Sequence, residues 1–379
     1  MSFGRQHAAS RARPGVALVM AVVAMAVLGA LVAGVFFTAL REQRDGRAAV
    51  NRVQALAAAE YGLATALSPD TWRSSWNLTG SRGPLFTFAY TPGPDASDTV
   101  HLWKLERNDF LLVSTGVAGP PVSMASRRIA LLVTLRVPLL AARSAVIAMD
   151  AAVVGDSSLV SGADTVPPAW SCPPGDEERP AVIVAAASLV DDAACTIVQC
   201  LTGAPPISID SAAAGADMYR RFGQVDRDSV AAAAAQLADD AVLSAPAPAL
   251  DGAGKCDAAR SSNLGDPLRL LGAESPCADY FPVLHAPGNM RIDGGAGQGV
   301  LLVDGDLTIA GGARFSGVVV VSGVLEITEL SELHGAVLAS RVIVHGGSRA
   351  RYSSCAVDRA LRAAALPVVP EGLAWSDVY

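Results

Sequence analysis

Three aspartates near the C-terminal end are, by residue type, the strongest candidates for acid–base chemistry. Asp304 and Asp306 are separated by one glycine, and Asp293 precedes them. Paired carboxylates can act as general acid and base on a glycosidic bond. Aspartate beside glycine is also ordinary turn chemistry, because its carboxylate accepts hydrogen bonds from nearby backbone. Calcium binding through oxygen ligands at these turns is a third interpretation.

A serine-containing segment is the second place to look for catalysis. Gly155-Asp156-Ser157-Ser158-Leu159 resembles the nucleophile block of GDSL-type lipases, with one serine extra. That family expects a later D-x-x-H pair, and none follows the block. The sequence also lacks the G-x-S-x-G and G-x-x-x-x-G-K-[ST] motifs. We therefore expect no enzymatic activity, no catalytic residue and no cofactor, with Ser157 and Ser158 acting as turn residues.

The cysteines are better suited to disulfides than to metal binding. A metal site needs close cysteine pairs with histidine partners, and the Cys195–Cys200 pair has no histidine nearby. We therefore expect no metal. An even number of cysteines in an oxidising compartment indicates disulfides. The pairing is open, although Cys256 with Cys277 is favoured because both lie in one loop-rich segment. The candidates are Cys172, Cys195, Cys200, Cys256, Cys277 and Cys355.

An uncharged segment from 16 to 40 is long enough to cross a membrane, since roughly 20 apolar residues suffice. Gly15 stands immediately before it, behind a leader carrying Arg5, Arg11 and Arg13. An ordinary secretory signal has its small cleavage residue after the apolar core instead. Cleavage at Gly15 would leave the apolar helix on the protein, with Val16 as its new N-terminus. The arginines before the segment predict that the body lies outside the cytoplasm.

The apolar segment begins a helix predicted to run from 16 to about 66. Small residues at Ala26, Gly29, Ala30, Ala33 and Gly34 offer a face for close packing against other helices. The second half is predicted to be amphipathic. Its apolar positions are Val50, Val53, Leu56, Leu63 and Leu67.

Alternating strands are predicted beyond the helix. Turn residues Arg107-Asn108-Asp109 predict a hairpin between two of them. A long helix followed by an antiparallel sheet is an α+β pattern. The expected strands are Leu85–Tyr90, Thr99–Glu106, Asp109–Thr115 and Ile129–Val137.

The C-terminal region contains a repeat. Gly299, Gly317 and Gly335 recur every 18 residues, and each is followed by two short apolar runs. Such periodicity predicts a stacked β-solenoid. An antiparallel meander is the alternative. The segments after Ala145 and Ala181 resemble further rungs, separated by inserts at about 163–180 and 205–282. The longer insert is predicted to contain a helix with Ser229 as N-cap, and a helix from Cys355 to Ala365 is expected to cover one end of the stack.

The charge balance excludes nucleic acid as the main partner. The formal net charge is −7, and removal of the three leader arginines makes it −10. Phosphate binding needs a basic surface, which such an acidic body does not offer.

Gly15 before the apolar segment and Ala59-Glu60-Tyr61-Gly62-Leu63 after it resemble the N-terminal segment of PilX-like minor pilins. The resemblance covers residues 14–67. It implies cleavage by prepilin peptidase, methylation, a pilin-like β domain, and partnership with pilin-like subunits and the pilus assembly machinery at the inner membrane. One departure is Met20, which stands at the fifth mature position, where most major pilins carry glutamate. A subunit without that carboxylate suits a tip or accessory position.

Together these features predict an α+β protein with a β-solenoid that serves as a structural subunit in type IV pilus assembly or surface display. The alternatives are an uncleaved, membrane-anchored surface adhesin or scaffold and a β-helix enzyme acting on polysaccharide. The predicted parts are a leader (1–15), a long helix (16–67), a pilin-like β domain (68–143), a solenoid-like domain (144–352) and a C-terminal cap (353–379).

Overall fold

A computed structural model describes residues 14–68, 83–106, 108–140, 143–173, 175, 178–195, 199–370 and 376–377. The leader arginines Arg5, Arg11 and Arg13 lie outside these residues. The described chain consists of a long N-terminal helix followed by a largely β body. That body contains an antiparallel sheet and a larger array of parallel strands.

The first element, α1, runs without interruption from Pro14 to Ala66, a length of 53 residues. Proline suits the first turn of a helix, where its missing N–H would have no partner. Good helix formers, alanine above all, fill the rest. At about 1.5 Å per residue, the helix is roughly 80 Å long. The predicted helix from 16 to about 66 agrees with these bounds.

The antiparallel sheet forms in chain order, each strand pairing with the next. Alternate residues point to one face, where Val100, Leu102, Phe110 and Leu112 are buried together with Leu63 of α1. Helix and sheet therefore share one apolar core. The strands are β1 (Gly83–Gly93), β2 (Ala96–Lys104), β3 (Asp109–Ala118) and β4 (Ala125–Arg136).

The parallel array uses two stretches of chain joined by a crossing segment. The first stretch contains β5 (Val146–Val154), β6 (Leu159–Ser161), β7 (Val182–Val184), β8 (Val190–Asp191), β9 (Leu201–Thr202) and β10 (Ile207–Ile209). The crossing segment contains a 3-10 turn (Ser211–Ala214), α2 (Ala216–Arg220), β11 (Arg221–Phe222), β12 (Val225–Asp226) and α3 (Arg227–Ala232). The second stretch contains β13 (Ala235–Gln236), β14 (Ala241–Ser244), β15 (Val283–Ala286), β16 (Met290–Asp293), β17 (Ala296–Val303), β18 (Leu307–Ala310), β19 (Arg314–Ile327), β20 (Glu332–Val344) and β21 (Arg349–Tyr352).

These strands form three rows of parallel ladders, which we call the parallel stack; one passage of the chain through the rows is a rung. In row A, 300–303 pair with 318–321, which pair in turn with 336–339. In row B, 307–309 pair with 325–327, which pair in turn with 342–344. In row C, 296–298 pair with 314–316, which pair in turn with 332–334. Successive rungs are thus offset by 18 residues in rows A and C, and by 18 and then 17 residues in row B, where the register shifts between Val321 and Val324. β17 bends from row C into row A, and β19 and β20 bend from row C through row A into row B.

The repeating glycines have a steric cause. Gly299, Gly317 and Gly335 lie in register with one another, at φ values of 120°, 150° and 146°. A side chain is strained at these angles. A Cβ at Gly317 would also overlap the carbonyl oxygen of Gly299, and one at Gly335 would overlap that of Gly317.

The two stretches meet in the middle of the stack. Val146 and Ile147 of β5 pair in parallel with Val337 and Leu338 of β20, which agrees with the correspondence predicted between the segments after Ala145 and Ala336. From β5 the rungs continue outward through β7 to β10, and from β20 they continue in the other direction through β19, β17 and β15 to β13.

The long insert predicted at 205–282 is smaller than expected. Ile207–Ile209, Ala235–Gln236 and Ala241–Ser244 all pair into the stack. The helix expected after Ser229 is only α3, which begins at Arg227 and is capped by Asp226, whose carboxylate accepts from the Ser229 N–H at 2.7 Å. Parallel pairing of Ala235 with Leu284 has overridden the helix propensity of the alanine run.

The C-terminal helix does not cover a free end of the stack. α4 (Ser354–Ala363) contacts β17, β19 and β20, three neighbouring strands, so it lies along the flank. After it, β22 (Leu366–Val368) and β23 (Ser376–Asp377) pair antiparallel with β4. The end of the chain therefore joins the stack to the antiparallel sheet.

Candidate membrane and assembly interface

The N-terminal half of α1 is exposed along its whole described length. Every side chain from Leu18 to Ala39 is exposed. Among the described residues, α1 is the one helix long and apolar enough to cross a membrane. Exposed apolar surface on this scale marks a membrane or partner-binding face.

The two glycines of this segment have no packing role within the chain. A Cβ added at Gly29 or Gly34 would meet no atom within 4 Å. Ala26, Ala30 and Gly34 are spaced by four residues and so lie on one helix face. This face is where another helix can approach most closely.

Gly15 and Val16 fall in the first turn of α1. Met20 follows one turn later, and its side chain is exposed. Cleavage after Gly15 is not tested by the geometry and stays a prediction.

The C-terminal half of α1 is attached to the antiparallel sheet through small residues. Ala55, Ala59 and Ala66 are fully buried. A Cβ at Gly116 of β3 would overlap the carbonyl oxygen of Ala55, and one at Gly62 would overlap the carboxylate of Asp98. The helix and sheet backbones thus approach closely at two glycines, one on each element.

This contact differs from the predicted amphipathic face. Leu63 is buried and Leu56 and Leu67 are partly buried, as expected, but Val50 and Val53 are 56% and 68% exposed. The sheet contacts the helix from about Asn51 onward. There it packs on the side of the helix that carries Asn51 and Ala55, and not on the side that carries Val50 and Val53. The signal that sequence reasoning missed is the run of small residues at 55, 58, 59, 62 and 66.

A buried carboxylate lies between helix and sheet. Asp98 of β2 is 1% exposed and accepts a hydrogen bond from the hydroxyl of Ser114. That hydroxyl is also 2.8 Å from the carbonyl oxygen of Ala59 in α1. The second Asp98 oxygen has no hydrogen-bond partner among the described atoms. Burial raises the pKa of Asp98, against the opposing effect of the Ser114 hydrogen bond.

A second polar contact fixes the turn between β3 and β4 to α1. The amide of Asn51 donates to the carbonyl oxygen of Ser123 at 2.6 Å, in the turn between β3 and β4. Next to this turn, Val122 is 96% exposed and Met124 is 61% exposed. The turn therefore presents apolar side chains close to the point where α1 leaves the body.

All six cysteines pair in the described chain. The disulfides are Cys172–Cys355, Cys195–Cys200 and Cys256–Cys277, and the last is the pair favoured from the sequence. Cys355 lies in α4, so the first disulfide ties that helix to the segment between β6 and β7. The guanidinium of Arg359, one turn later, lies 5.0 Å from the ring centre of Trp170 in the same segment.

The carboxylates considered for acid–base chemistry each have a different partner. Asp304 forms an ion pair with Arg227 and lies 3.0 Å from Nε2 of His285. Burial alone would raise the pKa of Asp304, but these two partners outweigh it and hold the pKa below its ordinary value. Asp306 instead accepts from the Val324 N–H at 2.7 Å, one rung away.

Asp293 lies 3.8 Å from the guanidinium of Arg291, so it too is near a cation rather than paired with another acid. Ser157 and Ser158 occupy the turn between β5 and β6, where the Ser158 hydroxyl accepts from the Ser348 N–H at 3.1 Å. Within the described ranges, no group of three or more histidine, cysteine, aspartate or glutamate side chains is placed to bind a metal.

Comparison with known proteins finds no matching family model and no matching curated protein. One solved structure that matches is the competence-associated pilin ComZ from Thermus thermophilus. The match has 13% sequence identity, covers 82% of this chain and 94% of that chain, and has a TM-score of 0.22. At this TM-score the two chains do not superpose as wholes.

Proposed function

We propose that this chain is a pilin-like structural subunit, anchored through α1 and carrying its β body outside the cytoplasm. The observation that carries the proposal is the continuity of α1. One uninterrupted helix has an exposed apolar half and a second half bound to the sheet. Any force on the membrane or filament part is thus transmitted directly to the body.

The proposed role within the assembly is that of a minor subunit. Met20 stands where a carboxylate could otherwise neutralise the terminal amine of a neighbouring subunit, and the segment from 16 to 40 contains no charged residue. A subunit that cannot offer this charge to its neighbour fits a tip or accessory position. The partners are other pilin-like subunits and the assembly machinery, and the PilX-like minor pilins are the class that the sequence favours.

We also propose that the parallel stack is a short β-solenoid displayed by the anchored helix. Three rows of parallel ladders with offsets of 17 or 18 residues support this interpretation. The body is proposed to be non-catalytic, since Asp304 and Asp306 are each bound to structural partners.

The deciding experiment is to determine the mature N-terminus by mass spectrometry, from membranes of cells with and without prepilin peptidase. We expect a chain beginning at Val16 only where the peptidase is present. Gly15→Leu should block this cleavage, whereas Gly4→Leu, a matched change within the leader, should leave it unaffected. A chain beginning at Met1 or Ser2 in both strains would refute processing and favour the alternative of an uncleaved, membrane-anchored surface protein.

A further inference from the structure

A cavity of about 330 Å³ lies where the crossing segment meets the corner between rows A and B. Asp304, Ser322 and Ser340 line one side of it, and each is the residue that follows row A in its rung. Parallel strands lie about 4.8 Å apart, so these three polar side chains follow one another along successive rungs as a ladder. They are the positions at which each sequence repeat interrupts its apolar run.

The opposite side of the cavity comes from α2 and α3. Tyr219 and Arg220 lie on α2, and Arg227 begins α3. Arg227 forms the ion pair with Asp304, which holds the crossing segment against the stack. The floor is apolar and consists of Val320 and Val321 of row A, which are buried.

Two residues that line the cavity each have a buried polar atom with no hydrogen-bond partner in the described structure. These atoms are the hydroxyl of Tyr219, a residue that is 7% exposed, and Nε of Arg227. Nearly all buried polar groups in proteins are paired, so an unpaired one needs an explanation. A molecule bound in the cavity that these two residues line would supply one.

The charged residues that line the cavity are balanced. Arg220 and Arg227 contribute two positive charges, and Asp228 and Asp304 contribute two negative charges. A third carboxylate, Asp150, lies beside the lining, where it accepts a hydrogen bond from the Ser340 hydroxyl. An anion site would need an excess of cations, and a cation site an excess of carboxylates. The balance favours an uncharged ligand that both donates and accepts hydrogen bonds.

We propose that this cavity binds a neutral sugar unit of a polysaccharide or glycan. Hydroxyl groups of the sugar would match the ladder of Asp304, Ser322 and Ser340, and the apolar C–H face would pack on the Tyr219 ring and the valine floor. Small-molecule sites combine an apolar lining with a few convergent polar groups in this way. The proposal is independent of how the chain is anchored or processed.

The test uses the full chain in lipid nanodiscs, because alkyl glycoside detergents would compete for a sugar site. Ligand-observed NMR is recorded with maltose, cellobiose and N,N′-diacetylchitobiose, and with digalacturonate as the acidic comparison. We expect at least one neutral disaccharide to bind, and to bind more tightly than digalacturonate.

Two variants then locate the site. Ser322→Leu fills the cavity and should weaken binding at least tenfold, while Thr308→Leu, a matched change on row B away from the cavity, should leave it unchanged. Tyr219→Phe removes only the unpaired hydroxyl and should weaken binding several-fold, with thermal unfolding used to verify the fold of each variant. Absence of binding by every neutral disaccharide, tighter binding of digalacturonate, or unchanged binding in Ser322→Leu would each overturn the proposal.

Discussion

At the scale of single residues, Asp98 is the most informative side chain of the helix–sheet contact. It is buried against Gly62 of α1, and one of its oxygens has no partner. A side chain larger than hydrogen at position 62 would have to displace this carboxylate. At Gly62, therefore, the helix backbone lies close to the Asp98 carboxylate. Burial there disfavours the charged form of that carboxylate.

We predict that Asp98→Asn makes the protein less sensitive to rising pH. Because burial raises the pKa of Asp98 in the folded state, its contribution to stability is fully present below the unfolded pKa and is lost as the pH rises through the folded pKa. An uncharged amide at position 98 does not ionise, so the variant does not lose stability in this way. The unfolding midpoint of Asp98→Asn should therefore exceed that of the wild type on the alkaline side of the transition.

The measurement is thermal unfolding of both proteins in nanodiscs from about pH 4 to about pH 8, a range that begins near the ordinary pKa of aspartate. Asp192→Asn, at an exposed position, is the control and should follow the wild type throughout. If the midpoint of the wild type rose relative to that of Asp98→Asn as the pH increases, the carboxylate would be stabilising in its charged form, which would contradict the prediction.

At the scale of elements, α1 is one helix with two environments. Its first half contacts nothing in the described chain, whereas its second half is held by Asn51, Ala55, Ala59 and Gly62. Because one continuous helix forms both halves, the contacts of the second half fix the direction in which the first half leaves the body. The open small-residue face around Gly29 and Gly34 is then available to other helices.

We predict that Gly29→Leu and Gly34→Leu impair assembly. In an apolar environment helices associate by close packing, and a leucine at either position would separate the two backbones. We expect a loss on the order of 1 kcal/mol for each variant, which corresponds to about a fivefold change in association. Incorporation into pili or into pilin-like complexes should be measured by crosslinking and immunoblotting of sheared and membrane fractions.

The matched control for these variants is Gly46→Leu. Gly46 also lies in α1 with no atom near its would-be Cβ, but it lies outside the apolar segment. It should assemble like the wild type. Normal incorporation of both Gly29→Leu and Gly34→Leu would rule out this face as the contact.

At the scale of the whole molecule, the chain is organised so that distant segments hold one another. β5 pairs with β20 in the centre of the stack, and β22 returns to the antiparallel sheet beside β4. Cys172–Cys355 closes a sequence separation of 183 residues between these regions. The stack and the sheet are thus linked twice, by the chain that runs from β4 to β5 and by the return of β22 to β4.

We predict that loss of the Cys172–Cys355 disulfide destabilises the protein more than loss of Cys195–Cys200. In the chain-entropy description, closing the long loop contributes about 5 kcal/mol, whereas closing a separation of 5 residues contributes about 2 kcal/mol. The double serine variants of each pair, compared by chemical unfolding, provide the measurement. Equal losses would mean that the long-range link does not restrict the unfolded chain.

The local features of this protein can be predicted from its amino-acid sequence. An uncharged run and a helix-forming composition specify α1, and alternating apolar residues specify the strands of the antiparallel sheet, because both patterns depend on neighbours along the chain. The 18-residue glycine period specified the parallel stack, since each glycine is required by the rung beside it.

Contacts between segments that are far apart in the sequence are visible only in the folded structure. The alanine run after Ser229 is helical by propensity, yet part of it becomes β13 because an exposed strand edge of β15 pairs with it. The buried stripe of α1 avoids Val50 and Val53, since its position depends on where the sheet ends. Likewise, Asp304 becomes an ion-paired residue at a cavity only when the crossing segment brings Arg227 and Tyr219 to it.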